Sequence, residues 1–176
     1  MLLMGFSGTD IFNKDRFALD LLGEAYSGMG SRLFLRIREE LGLAYYVGAR
    51  QLVGLDPGSF VMYVGTTPQN VATCEKEFLA ELEKLQKDGL SEEELTRAKN
   101  GLIGKRKVHM QDNAGLSLMV ALDELYGLGY DFFKTMDEKY RAVTMDDIKH
   151  IAEQYFNNKP YAVAIVRPAP AKPVEN

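Results

Sequence analysis

Apolar residues recur at intervals of three and four over most of this chain, which is the spacing of a helix with one buried face. In one stretch Leu33, Phe34, Ile37 and Leu41 keep that spacing, while three arginines and two glutamates take other positions. This stretch is predicted to be an amphipathic helix that ends at Gly42. The same spacing predicts further helices over about residues 14–27, 71–88, 91–109, 114–126, 131–142 and 144–155. Ser91 with Glu94, and Thr144, are typical capping residues for two of them.

Four shorter segments have the apolar runs and flanking turn residues that are typical of strands. They lie at about residues 2–6, 44–53, 59–65 and 161–168. The middle two are separated by Asp56-Pro57-Gly58 and are predicted to pair as a hairpin. Both faces of the second hairpin strand are apolar, which predicts cover on both sides or a packed partner. Because β-α-β units are too few for a doubly wound sheet, the order predicts an α+β fold, with a mostly antiparallel sheet and helices packed on it.

Composition and charge narrow the class of protein. The 176 residues, 46% of them hydrophobic, suffice for one packed domain, predicted over 1–168 and followed by a flexible Pro-rich tail over 169–176. The net charge of −4 argues against a nucleic-acid surface, and Cys74 is the only cysteine, so no internal disulfide can form. No stretch has the length of a membrane span or the basic start of a signal peptide. No membrane association is expected, and a soluble, cytoplasmic protein is favoured over a periplasmic one.

The arginine-rich helix and the tyrosines that follow it contain hydrogen-bond donors that indicate a ligand-binding site. An arginine near a helix end and a tyrosine at a strand start can converge on one group, since both side chains donate hydrogen bonds. A peptide carbonyl or a developing oxyanion would accept those bonds. Both residue types can equally serve the fold, the arginine on a solvated helix face and the tyrosine in cross-strand packing.

A family resemblance becomes visible in the same stretch, in the motifs SRLF, IRE and GLAY over residues 31–47. They resemble the second domain of the pitrilysin/insulinase family of zinc metallopeptidases, which includes the mitochondrial processing peptidases and the core proteins of the cytochrome bc1 complex. Further similar segments follow in the same order, so that the resemblance covers roughly residues 1–168. They lie at 58–60, 66–68, 87–95, 98–99, 143–148 and 161–168. The resemblance implies an antiparallel sheet with helices mainly on one side.

The resemblance also implies site residues. Carried onto this sequence, it implies that Arg36 binds substrate and that Tyr45 binds substrate and stabilises the tetrahedral intermediate. Tyr45 follows from the match of Gly42-Leu43-Ala44-Tyr45, although a slip of one residue would select Tyr46 and the opposite sheet face.

Zinc chemistry of this family requires the motif His-x-x-Glu-His with a further Glu downstream, because two histidines on one helix face reach one metal. The chain has only His109 and His150, and Gln154 stands where a second ligand after His150 would be needed. No metal site or cofactor is therefore expected in this chain, which alone should be inactive. Zinc is expected in a partner domain.

The function that the resemblance implies is that of a noncatalytic, substrate-binding half of a zinc-dependent endopeptidase. Its expected partners are a peptide substrate and a zinc-bearing homologous domain, either upstream in the same polypeptide or in a companion subunit. The predicted strand at the very start suggests a piece of a longer protein. A lone half with an exposed sheet or helix face is also expected to self-associate.

Two alternatives stay open. One is a structural or assembly subunit of the same fold without a peptidase role, similar to the bc1 core proteins. The other is a free-standing module that binds a small molecule or a protein.

Overall fold

A four-stranded antiparallel sheet organises the molecule, and a computed structural model describes residues 1–167 and residue 169. The predicted tail 169–176 lies outside the described residues, apart from residue 169. The strands are β1 (Leu2–Ser7), β2 (Ala44–Leu52), β3 (Ser59–Thr66) and β4 (Tyr161–Ile165). Their order in the sheet is β2-β3-β1-β4, with antiparallel pairing throughout, so the predicted hairpin is confirmed.

Helices connect the strands close to where the apolar spacing predicts them. They are α1 (Asp15–Ala25), a π-helical segment (Phe34–Glu40), α2 (Val71–Asp88), α3 (Glu92–His109), α4 (Asn113–Leu125), α5 (Met136–Ala142) and α6 (Met145–Tyr155). The predicted helix over 131–142 is split, since its first part is a 3₁₀ turn at Phe132–Thr135. Both predicted caps are present. The Ser91 hydroxyl accepts from the Glu94 amide at 3.2 Å, and Thr144 does the same for Asp147.

One face of the sheet is buried beneath helices and forms the core. Leu2, Met4 and Phe6 of β1 alternate with less buried residues, as the strand period of two requires. Apolar side chains from α1, α2 and α6 complete this core with them, among them Leu19, Leu21, Leu22, Phe78, Leu85, Ile148 and Ile151. Full burial of each such side chain contributes about 1.5–3 kcal/mol. The predicted α+β class, with helices on one side of the sheet, is confirmed.

The opposite face of the sheet, called the open face below, is less buried than the core face. It consists of residues that alternate with the core positions in the strand register, namely Leu3, Gly5, Ser7, Tyr46, Gly48, Arg50, Leu52, Ser59, Val61, Tyr63, Gly65, Ala162 and Ala164. Val61 and Tyr63 are only half-buried, so the described residues do not supply the full cover on both faces of β3 that the sequence suggests.

The arginine-rich helix differs from its prediction in backbone geometry. Its hydrogen bonds include Leu41 N to Arg36 O, which spans five residues rather than the four of an α-helix. The segment is therefore π-helical. Leu33 and Ile37 are buried as predicted, whereas Phe34 and Leu41 are only half-buried.

Candidate functional site

Tyr45 projects from the start of β2 because the ladder between β2 and β3 is irregular there. Ala44 is opposite Thr66 and Tyr46 is opposite Gly65, so Tyr45 has no partner residue and forms a β-bulge. Its side chain is 80% exposed. The bulge therefore presents the Tyr45 ring and hydroxyl to solvent, while the strand continues in register beyond it.

A sharp reversal at Gly42 brings the end of the π-helical segment back to this tyrosine. Gly42 has φ of 64°, the left-handed conformation that ends many helices, and the amide of Leu43 donates to Ile37 O at 2.9 Å. Arg38 lies in the last helical turn, and Nη1 of Arg38 donates to the carbonyl oxygen of Tyr45 at 2.9 Å. The chain reversal thus fixes a guanidinium beside the exposed tyrosine.

Aromatic rings hold the Arg38 guanidinium in place. Its Cζ lies 4.8 Å from the ring centroid of Phe34 and 5.5 Å from that of Tyr45, both within cation–π range. The ion pair to Glu39 is long, at 3.7 Å, and lies between two exposed side chains. Such a pair binds weakly in water, so most donors of Arg38 stay available to a ligand.

Arg36, the arginine that the family resemblance selects, has different neighbours. Its Nε donates to Glu77 Oε2 at 2.8 Å, and its Nη1 donates to Glu40 Oε2 at 2.9 Å. Hydrogen bonds to Glu77 first, and then to Glu40, hold the pKa of Arg36 above its ordinary value. Among the described residues, its hydrogen bonds go to these carboxylates and none joins it to Tyr45. Arg36 is thus bound by two carboxylates, and its role in binding substrate stays a prediction.

Arg38 contacts Tyr45 and is not selected by the sequence reasoning. The sequence contains a signal for this contact. Arg38 lies four residues before the helix-ending Gly42, and Tyr45 lies three residues after Gly42. Residues at such distances on either side of a tight reversal come close in space. The motif match selects Arg36, with Tyr45 ahead of Tyr46, whereas the contact between Arg38 and Tyr45 depends on the backbone geometry of the reversal.

The third arginine, Arg32, has its hydrogen bonds to residues of α2 and α3 and to the loop between them. Its guanidinium contacts both carboxylate oxygens of Glu94, the Gly89 carbonyl at 3.0 Å and Glu81 at 3.4 Å. Glu81 is only 4% exposed, and burial raises the pKa of its carboxyl while Arg32 opposes that rise. Arg32 thus ties the π-helical segment to α2 and α3.

An open cleft of about 500 Å³ adjoins Tyr45. Its walls are Met1, residues 42–46, residues 65–67 and Asn70, so the bulge and the ends of three strands line it. Tyr46 lies in the same wall, with its ring centroid 6.4 Å from that of Tyr45. Both candidates for the active tyrosine are therefore exposed at one site, Tyr46 by 43%.

The histidines do not form a metal site. His150 Nε2 lies 3.4 Å from Asp15 Oδ2, and the Tyr155 hydroxyl donates to that same carboxylate oxygen at 3.0 Å. Across residues 1–167 and 169, no group of three or more His, Cys, Asp or Glu side chains is placed to hold a metal ion. The residues present therefore do not fit zinc, and no step of the chemistry is assigned to a metal on this chain.

The described residues form an α+β domain with helices on one side of its sheet, in which Tyr45 and Arg38 offer donor groups and no cluster of side chains can hold a metal ion. The family model described as the peptidase M16 inactive domain matches residues 1–102, which is more than half of the chain. The chain belongs to the peptidase M16 family, as its inactive, C-terminal type of domain, and the resemblance to the pitrilysin/insulinase family is confirmed.

Similar proteins agree with this assignment. An uncharacterized zinc protease of Streptomyces coelicolor is 29% identical over 167 residues, covering 94% of this chain and 36% of the relative. The uncharacterized zinc protease YmxG of Bacillus subtilis is 28% identical, covering 96% of this chain and 41% of the relative. The chain thus spans about two fifths of the length of these curated relatives.

Solved structures share the fold. A peptidase M16 inactive domain from Pseudomonas fluorescens superposes with a TM-score of 0.81 at 21% identity, over 92% of this chain and 39% of that one. A chain of complex III from Candida albicans gives a TM-score of 0.80 at 14% identity, over 93% of this chain and 41% of that one. In the part of the chain that the structure describes, no helix is both long and apolar enough to cross a bilayer.

Proposed function

We propose that this chain is the noncatalytic, substrate-binding half of a zinc-dependent endopeptidase and acts beside a zinc-bearing homologous domain. The observation that carries the proposal is the bulged, exposed Tyr45 with the Arg38 guanidinium held against it. The names of the relatives, zinc proteases more than twice as long as this chain, support a partner domain that carries the metal.

The two side chains supply hydrogen-bond donors where an extended peptide would pass. The Tyr45 hydroxyl is a single donor at the mouth of the cleft. Arg38 offers a fork of N–H groups, and a guanidinium donates hydrogen bonds but accepts none. Together they bind peptide carbonyl oxygens, and Tyr45 donates to the oxygen that becomes negative in the tetrahedral intermediate. Loss of one such donor typically costs about 3 kcal/mol of transition-state stabilisation.

In this proposal Arg36 has a supporting role. Its forked contact with Glu77 joins the π-helical segment to α2. Direct binding of substrate by Arg36, the role that the family resemblance implies, would require it to leave two carboxylates. The placement of the side chains therefore favours Arg38 for that role.

Reconstitution tests the proposal. The chain is combined with its zinc-bearing half, or expressed with it in one polypeptide, and cleavage of an internally quenched peptide is followed by fluorescence. We expect cleavage only when both halves are present, and its loss on addition of a zinc chelator. Equal cleavage by the zinc-bearing half without this chain would contradict the proposal.

A structural or assembly role is the second candidate, supported by the similarity in fold to a chain of complex III. This role predicts that the two halves form a stable complex without hydrolysing peptides. Self-association of the isolated chain and a cytoplasmic location stay predictions under either candidate. Gel filtration with light scattering measures the first, and fractionation of cells measures the second.

A further inference from the structure

Two tyrosines of the open face lie across glycines of the neighbouring strand. In the register of β2 and β3, Tyr46 is opposite Gly65 and Tyr63 is opposite Gly48. A Cβ atom on Gly65 would lie 2.3 Å from Cε1 of Tyr46, and one on Gly48 would lie 2.7 Å from the Tyr63 hydroxyl oxygen. A Cβ atom on Gly65 would collide with the Tyr46 ring itself, whereas one on Gly48 would push aside the hydroxyl end of Tyr63 and Ser27 Oγ, at 2.9 Å. Each tyrosine therefore lies over the backbone of the facing strand.

These rings continue the row that Tyr45 begins. The ring centroids of Tyr45 and Tyr46 are 6.4 Å apart, and those of Tyr46 and Tyr63 are also 6.4 Å apart. Among the hydrogen bonds of the described residues, none involves the hydroxyl of any of these three tyrosines. The hairpin therefore presents aromatic faces and unused hydroxyl groups in a row that leads away from Tyr45, a surface on which an aromatic or large apolar side chain can stack.

A single charge follows the row along β2. Arg50 points to the open face two residues beyond Gly48, is exposed, and has no ion pair within the part of the chain that the structure describes. The other residues of the open face carry no charge. Positions two apart on a strand lie about 7 Å apart on one face, and an extended peptide has the same period. A ligand with an apolar group over the tyrosines thus places its second-next side chain near Arg50.

We propose that the open face binds an extended peptide segment with an aromatic or large apolar side chain on Tyr46 and Tyr63 and an acidic side chain beside Arg50. The proposal rests on the proposed function, since it takes the ligand to be a peptide, and it names which residues of that peptide are recognised. The occupant follows from the ring surface and from the lone positive charge, and the surface is continuous with the cleft at Tyr45.

Peptide binding by the chain itself tests this proposal without the zinc-bearing half. The probe is a short fluorescein-labelled peptide with one Phe and, two residues later, one Glu, and binding is measured by fluorescence anisotropy. Serine in place of the Phe should weaken binding by about fivefold, as expected for loss of an aromatic stacking contact. Glutamine in place of the Glu should weaken it by about twofold at low salt and have no effect at high salt.

Variants assign the two preferences to residues. Tyr46→Leu and Tyr63→Leu should each reduce the preference for Phe, whereas Arg50→Gln should remove only the preference for Glu. Tyr130→Leu is the matched control, because Tyr130 is 62% exposed but lies after α4, outside the open face, and it should leave both preferences unchanged. Circular dichroism melts show which variants are folded.

Equal binding of the Phe and Ser probes by the unaltered chain would overturn the proposal, and this comparison depends on no variant. A folded Tyr46→Leu, Tyr63→Leu double variant that keeps the preference for Phe would also overturn it. Failure of the proposed function looks different: the preference for Phe persists, but the reconstituted protein does not hydrolyse peptides. Hydrolysis without the preference would instead leave the proposed function standing and remove this inference.

Discussion

The two sides of the sheet differ in whether their polar side chains have hydrogen-bond or ion-pair partners. On the helix side, Arg32 is paired with Glu81 and Glu94. On the open face and at the bulge, the hydroxyl of Tyr45 and the guanidinium of Arg50 have no hydrogen-bond or ion-pair partner within residues 1–167 and 169. An unpaired buried polar group carries a large desolvation cost, whereas an exposed one is hydrated and remains available to a ligand. Substitutions on the helix side should therefore change stability, and those on the other side should change the handling of peptides.

The largest expected effect is that of a substitution at the bulge. In the proposed function the Tyr45 hydroxyl stabilises the tetrahedral intermediate, so Tyr45→Phe should lower kcat of the reconstituted protein by about 100-fold. The ring and its contact with Arg38 remain, so the melting temperature should not change. Steady-state hydrolysis of a quenched peptide measures the effect. Tyr46→Phe is the matched control, since it removes a hydroxyl from the next residue, and a larger loss in that variant would assign the role to Tyr46.

A substitution on the helix side tests the stability half of the comparison. Arg32→Met leaves the buried carboxylate of Glu81 with only a long contact to the exposed Lys84, at 3.7 Å, which should lower the free energy of unfolding by about 3 kcal/mol. Urea denaturation followed by circular dichroism measures this. Adding Glu81→Gln to the same chain removes the stranded charge and should recover much of the loss. A single variant as stable as the unaltered chain would show that Arg32 does not hold the three helical segments together.

The pH dependence of stability sharpens the same contrast. Asp20 on α1 lies against Tyr140, whose hydroxyl donates to it at 2.9 Å, and near Arg16 and Arg106. Burial raises the pKa of Asp20 to about 6, above the value of about 3.9 in an unfolded chain. The folded state therefore binds more protons between these two values. The stabilising contribution of Asp20 is complete below about pH 4 and is lost as the pH rises through about 6.

Asp20→Asn should remove this dependence because asparagine stays neutral. The difference in free energy of unfolding between the variant and the unaltered chain should shift in favour of the variant by up to about 3 kcal/mol between pH 4 and pH 7. Urea denaturation at both pH values measures the shift. A constant difference across this range would contradict the raised pKa.

Much of the fold could be predicted because its signals are local. The capping boxes at Ser91 and Thr144 and the hairpin connection through Asp56-Pro57-Gly58 each depend on a few neighbouring residues, and all lie where the sequence places them. The alternation of Leu2, Met4 and Phe6 similarly follows from the strand period.

The site could be predicted only in part. The motif around Tyr45 locates the tyrosine, but the choice between Arg36 and Arg38 depends on the π-helical backbone and on Glu77, which lies on a different helix. The row of Tyr46 and Tyr63 over Gly65 and Gly48 likewise depends on the register across a bulge, which the sequence of one strand does not contain.

The most direct test of the proposed substrate-binding half compares two arginines that are two residues apart. Arg38→Gln and Arg36→Gln are each introduced into the reconstituted two-domain protein, and kcat/KM for a quenched peptide is measured along with the melting temperature. The structure predicts a loss of about 100-fold for Arg38→Gln without a change in melting temperature, and a loss within about threefold for Arg36→Gln. A larger loss for Arg36→Gln than for Arg38→Gln would contradict the assignment of Arg38 as the partner of Tyr45.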